Sequence, residues 1–303
     1  MLLSWPALGV IRGRFLLLAL SCVALGVAVS LPTSGATPTF WMDAALVLLG
    51  ALAAHGAVNA LNEYADYRSG LDLRTARTPF SGGSGTLVEH PQCLAQALWL
   101  GVGGLLLSAA IGLCFLIRQP ALVGQLAPLG AAGLLLVVAY TPWLTRRPWL
   151  CLLAPGLGFG PLMVLGTQVV LAGEVGMSGV LLSLVPFCLC NNLLLLNQFP
   201  DIDADRGIGR LTLPMLLGRP RALTVLGAQW LLAFAGLLGF VLAGWAPTGA
   251  ALGLLGVLPA LRAWRLLRRD TEAAECLLPA MGLNVLVSVA TPLLMAVGMV
   301  VVR

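Results

Sequence analysis

The stretch Asn62-Glu63-Tyr64-Ala65-Asp66-Tyr67-Arg68-Ser69-Gly70-Leu71-Asp72 follows and closes an apolar run that covers 41–64. Such a run is long enough to cross a bilayer core of about 30 Å, which takes ~20 helical residues. It reads as a membrane-spanning helix whose end carries three carboxylates. A second stretch, Asn197-Gln198-Phe199-Pro200-Asp201-Ile202-Asp203-Ala204-Asp205-Arg206, follows the apolar run 178–199 in the same way. The chain has twelve Asp and Glu residues, and six of them fall in these two windows. Carboxylates this close repel one another and are costly near hydrocarbon. Something cationic is expected to compensate them, and a divalent metal holding a phosphorylated ligand is the natural candidate.

Outward from these stretches, the composition is that of a polytopic membrane protein. The 303 residues are 59% hydrophobic and 10% charged, with mean hydropathy +0.97, whereas a soluble domain carries about 25% charge. Nine apolar segments are long enough to span: 13–31, 41–64, 94–117, 121–142, 149–172, 178–199, 222–244, 248–267 and 277–301. We expect an all-α fold of about nine transmembrane helices around a central cavity, as one domain over 1–303. Only two connections are long and polar, 65–93 and 200–221, and they hold the acidic stretches. Ser34-Gly35-Ala36 resembles a small-residue cleavage site, but the first segment is long and is read as a retained span. The seven cysteines are scattered, mostly in apolar runs, and read as small apolar side chains.

Arginine placement orients the bundle. All seventeen basic residues are Arg. With the N-terminus in the cytoplasm, fifteen of them fall inside and only Arg118 and Arg303 outside, as the positive-inside rule expects. Both acidic loops then face the cytoplasm. Asn62-Glu63-Tyr64-Ala65-Asp66 also aligns with Asn197-Gln198-Phe199-Pro200-Asp201 across an even number of helices. That is a weak parallel repeat, with a shared site between its halves.

Spacing selects the ligands. Asn62 and Asp66 share a helix face at i,i+4, and Ser69-Gly70 lets the chain turn and bring Asp72 back. Asn197, Asp201 and Asp205 are successive i,i+4 positions, with Pro200 expected to kink the helix. Asp203 lies on the opposite face. Mg²⁺ prefers oxygen ligands and binds through a few carboxylates plus substrate phosphates, so two facing sets could hold such ions around a diphosphate. Arg77 and Arg210 could add charge-assisted contacts to phosphate.

These motifs resemble the UbiA-type superfamily of intramembrane prenyltransferases. Asn62, Asp66, Gly70 and Asp72 match its first signature, with Glu63 in place of the usual Asp. Asp201, Asp205, Arg206, Gly209, Arg210, Thr212 and Leu213 match its second, with Arg210 for Lys. The Gly-x-Asp ending, Tyr140-Thr141-Pro142 and Phe159-Gly160-Pro161 resemble the branch that prenylates 1,4-dihydroxy-2-naphthoate in menaquinone synthesis. The resemblance implies that Asn62, Asp66, Asp72, Asn197, Asp201 and Asp205 bind Mg²⁺ around an isoprenyl diphosphate. It makes Arg77, Arg146 and Arg210 diphosphate partners, and Asp66, Asp201 and Tyr140 the catalytic group. The Tyr140 ring would stabilise an allylic cation, which an aromatic quinone precursor attacks. A bacterial inner membrane is the implied location.

Other features have plainer readings. His55 is expected to make an interhelical hydrogen bond. Asn59, Asn191 and Asn192 either line the cavity or join helices. The Gly/Ser-rich stretch 81–85 is a phosphate cradle, a flexible lid or a simple loop. Arg262, Arg265, Arg268 and Arg269 suit anionic lipid or topology and imply no nucleic-acid partner. Competing readings are a prenyltransferase with another acceptor (a hydroxybenzoate, homogentisate, a chlorophyllide or glycerol phosphate) and a cation-coupled transporter. Against the transporter, no acid lies at mid-membrane. The sequence gives no oligomeric state and no prenyl chain length.

Overall fold

The computed structural model describes residues 5–302. Among them there is no strand. Nine helices among the described residues are long and apolar enough to cross a membrane: Pro6–Ser34, Pro38–Ser69, Pro91–Arg118, Pro120–Tyr140, Pro148–Ala172, Met177–Asn197, Arg219–Leu242, Thr248–Arg269 and Ala274–Val301. They follow the nine apolar runs of the sequence and are numbered here as the first to ninth spans.

Local chemistry sets their ends. The second span starts with Pro38 behind Thr37, whose hydroxyl accepts from the Phe40 amide at 3.1 Å. It continues past its apolar run to Ser69 and stops at Gly70, whose φ of 76° is the left-handed C-cap conformation that glycine adopts freely. The fifth span is interrupted. A π-helical turn, Gly158–Leu162, joins Pro148–Leu157 to Met163–Ala172. Pro161 has no amide hydrogen to continue a regular ladder, and wide turns of this kind concentrate at functional sites.

Packing between spans relies on small residues and buried polar ties, because lipid is as apolar as leucine and gives helices no hydrophobic reason to associate. The second and third spans approach so closely that a Cβ on Gly104 would lie 2.8 Å from the Ala53 carbonyl oxygen. One large buried cluster joins the first, sixth, seventh, eighth and ninth spans around Leu25, Leu189, Leu226, Ala260 and Met295. Within it, Asn192 Nδ2 donates to the Leu226 carbonyl, Gln229 Nε2 donates to Asn192 Oδ1, and Asn284 Nδ2 donates to the Asn192 carbonyl, each at 2.9 Å. The Gly156 amide donates to Asn191 Oδ1 at 2.9 Å. Asn191 and Asn192 therefore join helices and do not line a cavity. The third and fourth spans are the least covered, with Leu106, Ile117 and Leu135 exposed.

Candidate active site

The two acidic stretches meet at one end of the bundle. Asn62, Asp66 and Asp72 line a polar pocket of about 120 Å³ together with Asn197, Asp201 and Asp205. Asp72 is brought back by the turn at Gly70, where the Leu71 amide donates to the Asp66 carbonyl at 3.0 Å. The sixth span ends at Asn197, and Asp201 sits at the N-cap of a short helix, Ile202–Arg206. The Asp205 amide donates to the Asp201 carbonyl at 2.9 Å, so the i,i+4 relation survives beyond Pro200. Asp203 points away: its side chain is 96% exposed and its ion pair is with Arg206.

Arg210 neutralises part of this charge. Its guanidinium is hydrogen-bonded to Asp66 and, at 3.3 Å, to Asp205. Burial, and then the negative charges of Asp66 and Glu63, push Asp72 up to about 7. Burial, and then the charge of Asp205, push Asp201 up to about 7. Asp205 is also raised by burial, against the opposing pull of Arg210. Asp201 Oδ1 is enclosed with no hydrogen-bond partner. Among the described residues, no three carboxylate, imidazole or thiol groups lie close enough together to hold a metal ion by themselves. An all-oxygen set of that kind fits Mg²⁺, which takes one or two carboxylates and completes its shell with water and substrate phosphate.

The Gly/Ser-rich stretch forms one wall. Ser81, Gly82 and Gly83 line the pocket. The buried carboxylate of Glu63 accepts from the Ser84 amide at 2.6 Å and from its hydroxyl at 2.8 Å. Gly83 has φ 75°, and a Cβ there would lie 3.1 Å from Asp72 Oδ1, so this wall can approach the carboxylates only as glycine. Glu63, which departs from the usual Asp, thus holds the loop in place.

Two expected phosphate partners stand elsewhere. Arg77 is exposed and hydrogen-bonded to Glu89 at 2.9 Å, and Arg146 is exposed; neither lines the pocket. Arg77 lies close behind the first motif in sequence, but its loop carries it outward to Glu89. In their place the pocket has Arg12, from the first span, which in the sequence stands out only by its contribution to topology. No local motif marks Arg12.

The pocket opens onto an apolar chamber of about 590 Å³ between the first to sixth spans. Arg12, Asn62, Tyr140, Leu194 and Asn197 line both compartments, so Tyr140 stands at the junction. The chamber follows the second span from Asn62 down to Val47, a rise of about 22 Å. Its far end meets Phe115, Leu126 and Val170, which belong to a separate buried cluster. Asn59 lines the chamber and donates through Nδ2 to the Ile11 carbonyl at 2.9 Å. His55 lines it too, but the expected interhelical hydrogen bond is not made: Nδ1 has no partner, and the ring packs edge-on against Phe159 with centroids 4.7 Å apart. The π turn, which lets Gly158, Phe159 and Leu162 all face the chamber, explains why an aromatic edge occupies that place.

Fold and site together define an integral membrane protein that can hold a long apolar chain in its helices with a charged head among carboxylates. The chain belongs to the UbiA prenyltransferase family, whose sequence profile matches residues 19–286. A 1,4-dihydroxy-2-naphthoate octaprenyltransferase of Bacillus subtilis (strain 168) is 29% identical over 195 residues, which are 62% of this chain and 59% of that protein. The chain thus spans about three fifths of the length of that curated relative. The apo structure of a UbiA homolog from Aeropyrum pernix K1 superposes with a TM-score of 0.68 over 96% of this chain and 98% of that one, at 22% identity. A UbiA homolog from Archaeoglobus fulgidus, solved with DMAPP and Mg²⁺, gives 0.63 over 96% and 99%, at 16% identity. These two likenesses are of fold.

Proposed function

We propose that the protein transfers a polyprenyl group from an isoprenyl diphosphate to an aromatic quinone precursor, 1,4-dihydroxy-2-naphthoate, and releases diphosphate. The observation that carries this reading is the junction itself: carboxylates from two distant segments surround one polar pocket, and that pocket opens directly onto an apolar chamber. A diphosphate with an isoprenoid tail has this division of polar head and apolar chain. The name of the Bacillus subtilis relative supports the naphthoate acceptor, and the ligands of the Archaeoglobus fulgidus structure support the donor class and Mg²⁺.

Asp66 and Asp72 on one side, and Asp201 and Asp205 on the other, would hold Mg²⁺, with the amide oxygens of Asn62 and Asn197 completing the sets. The ion supplies positive charge that neutralises the leaving diphosphate. Arg210 holds Asp66 and Asp205 in register and stands ready to pair with phosphate oxygens. The bond from the prenyl C1 to oxygen breaks with its electron pair on the diphosphate, and a ring carbon of the acceptor bonds to C1. Loss of that ring carbon's proton, or of its carboxylate as carbon dioxide, restores aromaticity. The Tyr140 ring, at the junction, faces the developing allylic cation, and the chamber wall keeps water from it. Segments 65–93 and 200–221 serve as the active-site loops, and the arginine asymmetry supports a cytoplasmic position for them and for the N-terminus.

The test is transfer of a labelled prenyl group in membranes supplied with Mg²⁺. Asp66→Asn and Asp201→Asn are expected to lower it by at least about 100-fold, with each variant still monodisperse in detergent. Full activity in both would overturn the metal–diphosphate reading. Release of pyrophosphate in the same assay separates an enzyme from a cation-coupled carrier.

A further inference from the structure

Cys151 is a thiol in the wall of the polar pocket with no part in the transfer chemistry described above. It lies in the first turn of the fifth span and is 3% exposed. Its Sγ accepts from Gln198 Nε2 at 3.4 Å, and it is hydrogen-bonded to the Tyr140 hydroxyl. A thiol can take both contacts, since its sulfur accepts and its S–H donates. Three spans therefore meet through one atom: the fourth ends at Tyr140, the fifth begins just before Cys151, and the sixth ends beside Gln198.

The contacts bear on how Tyr140 is held. The fourth span is among the least covered of the bundle, with Leu135 exposed, so packing gives its end little hold. Tyr140 lines both compartments, whereas Cys151 and Gln198 line only the polar pocket. The hydroxyl is thus anchored on the polar side and the ring is held across the junction. The following residue is tied as well: Asn62 Nδ2 donates to Thr141 Oγ1 at 3.2 Å. Gln198 is buried, and its Oε1 is enclosed with no partner. Among the described residues, the bond to Cys151 is therefore what orients its amide.

We infer that Cys151 is a positioning residue: with Gln198 behind it, the thiol holds the Tyr140 hydroxyl and so fixes the ring face toward the prenyl C1. The inference rests on the prenyl-transfer reading, in which that ring faces the allylic cation, and assigns what aims it. A ring free to swing leaves the cation open to water from the polar pocket. Water oxygen then bonds to C1, the C1–oxygen bond to diphosphate breaks with its electron pair on the diphosphate, and the water's proton passes to solvent. The product of that leak is a prenyl alcohol, so the tie sets how the cation divides between acceptor and water.

The experiment uses the purified full chain with Mg²⁺, geranylgeranyl diphosphate and 1,4-dihydroxy-2-naphthoate, and measures prenylated naphthoate, geranylgeraniol and released diphosphate together. Cys151→Ala is expected to lower kcat for transfer about 10–100-fold, the cost of a misplaced group. KM for the diphosphate should stay within about twofold of wild type, and the share of geranylgeraniol should rise. Cys151→Ser, whose hydroxyl can bond both neighbours, should recover part of the loss. In Tyr140→Phe, where the bond is already absent, Cys151→Ala should change kcat by less than about twofold. An equal further loss in that background, or a raised diphosphate KM with an unchanged product split, would overturn the assignment. Should Cys151→Ala not remain monodisperse, Gln198→Leu takes its place in both backgrounds. Alkylation of Cys151 by a small reagent, read by peptide mass spectrometry, tests the tie without catalysis. Tyr140→Phe and Gln198→Leu should each speed it by releasing the sulfur, and equal rates in both variants and wild type would refute the tie. Should wild type release no diphosphate, the prenyl-transfer reading fails, whereas the tie stands or falls by the alkylation rates.

Discussion

Arg210 and Asp66 are 144 residues apart in the chain and hydrogen-bonded in the fold. The contact ties the end of the second span to the segment beyond the sixth, and Arg210 also reaches Asp205. With the guanidinium removed, two buried carboxylates would face each other without a counter-charge. Breaking a buried pair on one side costs about 3–5 kcal/mol. Arg210→Gln is expected to lower the thermal unfolding midpoint in detergent, and Mg²⁺ should restore part of the loss by binding only the folded chain. Arg210→Gln combined with Asp66→Asn should recover stability without activity. Equal Mg²⁺ shifts in wild type and Arg210→Gln would contradict this role.

Glu63 anchors the glycine-rich wall, and its loss should act through that wall. Glu63→Ala removes both bonds to Ser84. Faster hydrogen exchange over residues 78–86 and a higher KM for the diphosphate are expected, with smaller change in kcat. Gly83→Ala puts a side chain at φ 75° and 3.1 Å from Asp72 Oδ1, a strain of about 1–3 kcal/mol. That variant should lose both stability and turnover. Unchanged exchange in Glu63→Ala would show that other contacts hold the loop.

Proton binding should set stability and metal affinity against each other. Asp72 and Asp201 stand at about 7, above their ordinary 3.8, so the folded chain binds their protons more tightly than the unfolded chain does. Their contribution to stability is complete below about 3.8 and is lost as pH rises through about 7. A carboxylate ligates metal when ionised. The metal-free midpoint should therefore fall between about pH 4 and 7 and level off above that, while the Mg²⁺-induced gain grows as the two carboxylates ionise towards pH 7. Asp72→Asn with Asp201→Asn should flatten both trends relative to wild type in parallel melts; identical slopes would count against the shifts.

Tail length should respond to a plug in the chamber. Gly130 lines it ten residues from Tyr140 along the fourth span, about 15 Å away, and a Cβ there would meet nothing within 4 Å. Gly130→Phe is expected to leave transfer from a two-unit donor near wild type. With donors longer than about three units, taking roughly 5 Å per isoprene unit from ordinary bond lengths, transfer should fall at least about tenfold. Product mass spectra across a donor series give the answer, and uniform loss at every length would mean simple misfolding.

The spans were legible because length and apolarity alone define them. The convergence of Asn62, Asp66, Asp201 and Asp205 was legible because both motifs close helices at matched spacing, and the return of Asp72 followed from Gly70. What escaped the sequence depends on contacts between distant backbones. Arg12 reaches the site because the Ile11 carbonyl meets Asn59, and no residue pattern near Arg12 announces that. Arg77 follows the first motif closely along the chain, yet Glu89 holds it at the surface, and Arg146, which only the family resemblance suggests, is exposed as well. The unpartnered imidazole of His55 follows from the π turn that places Phe159 beside it, and that turn has no periodicity by which to be read.

The polar pocket stands at one end of a chamber whose other end meets the packed cluster of Phe115, Leu126 and Val170. Chemistry with this layout is vectorial. If the proposed prenyl transfer takes place there, donor head and acceptor ring meet at one face of the membrane, and the product's ring is left at that same face. Any downstream enzyme that takes the product directly must therefore present its own entrance to that face, or wait for the lipid to flip.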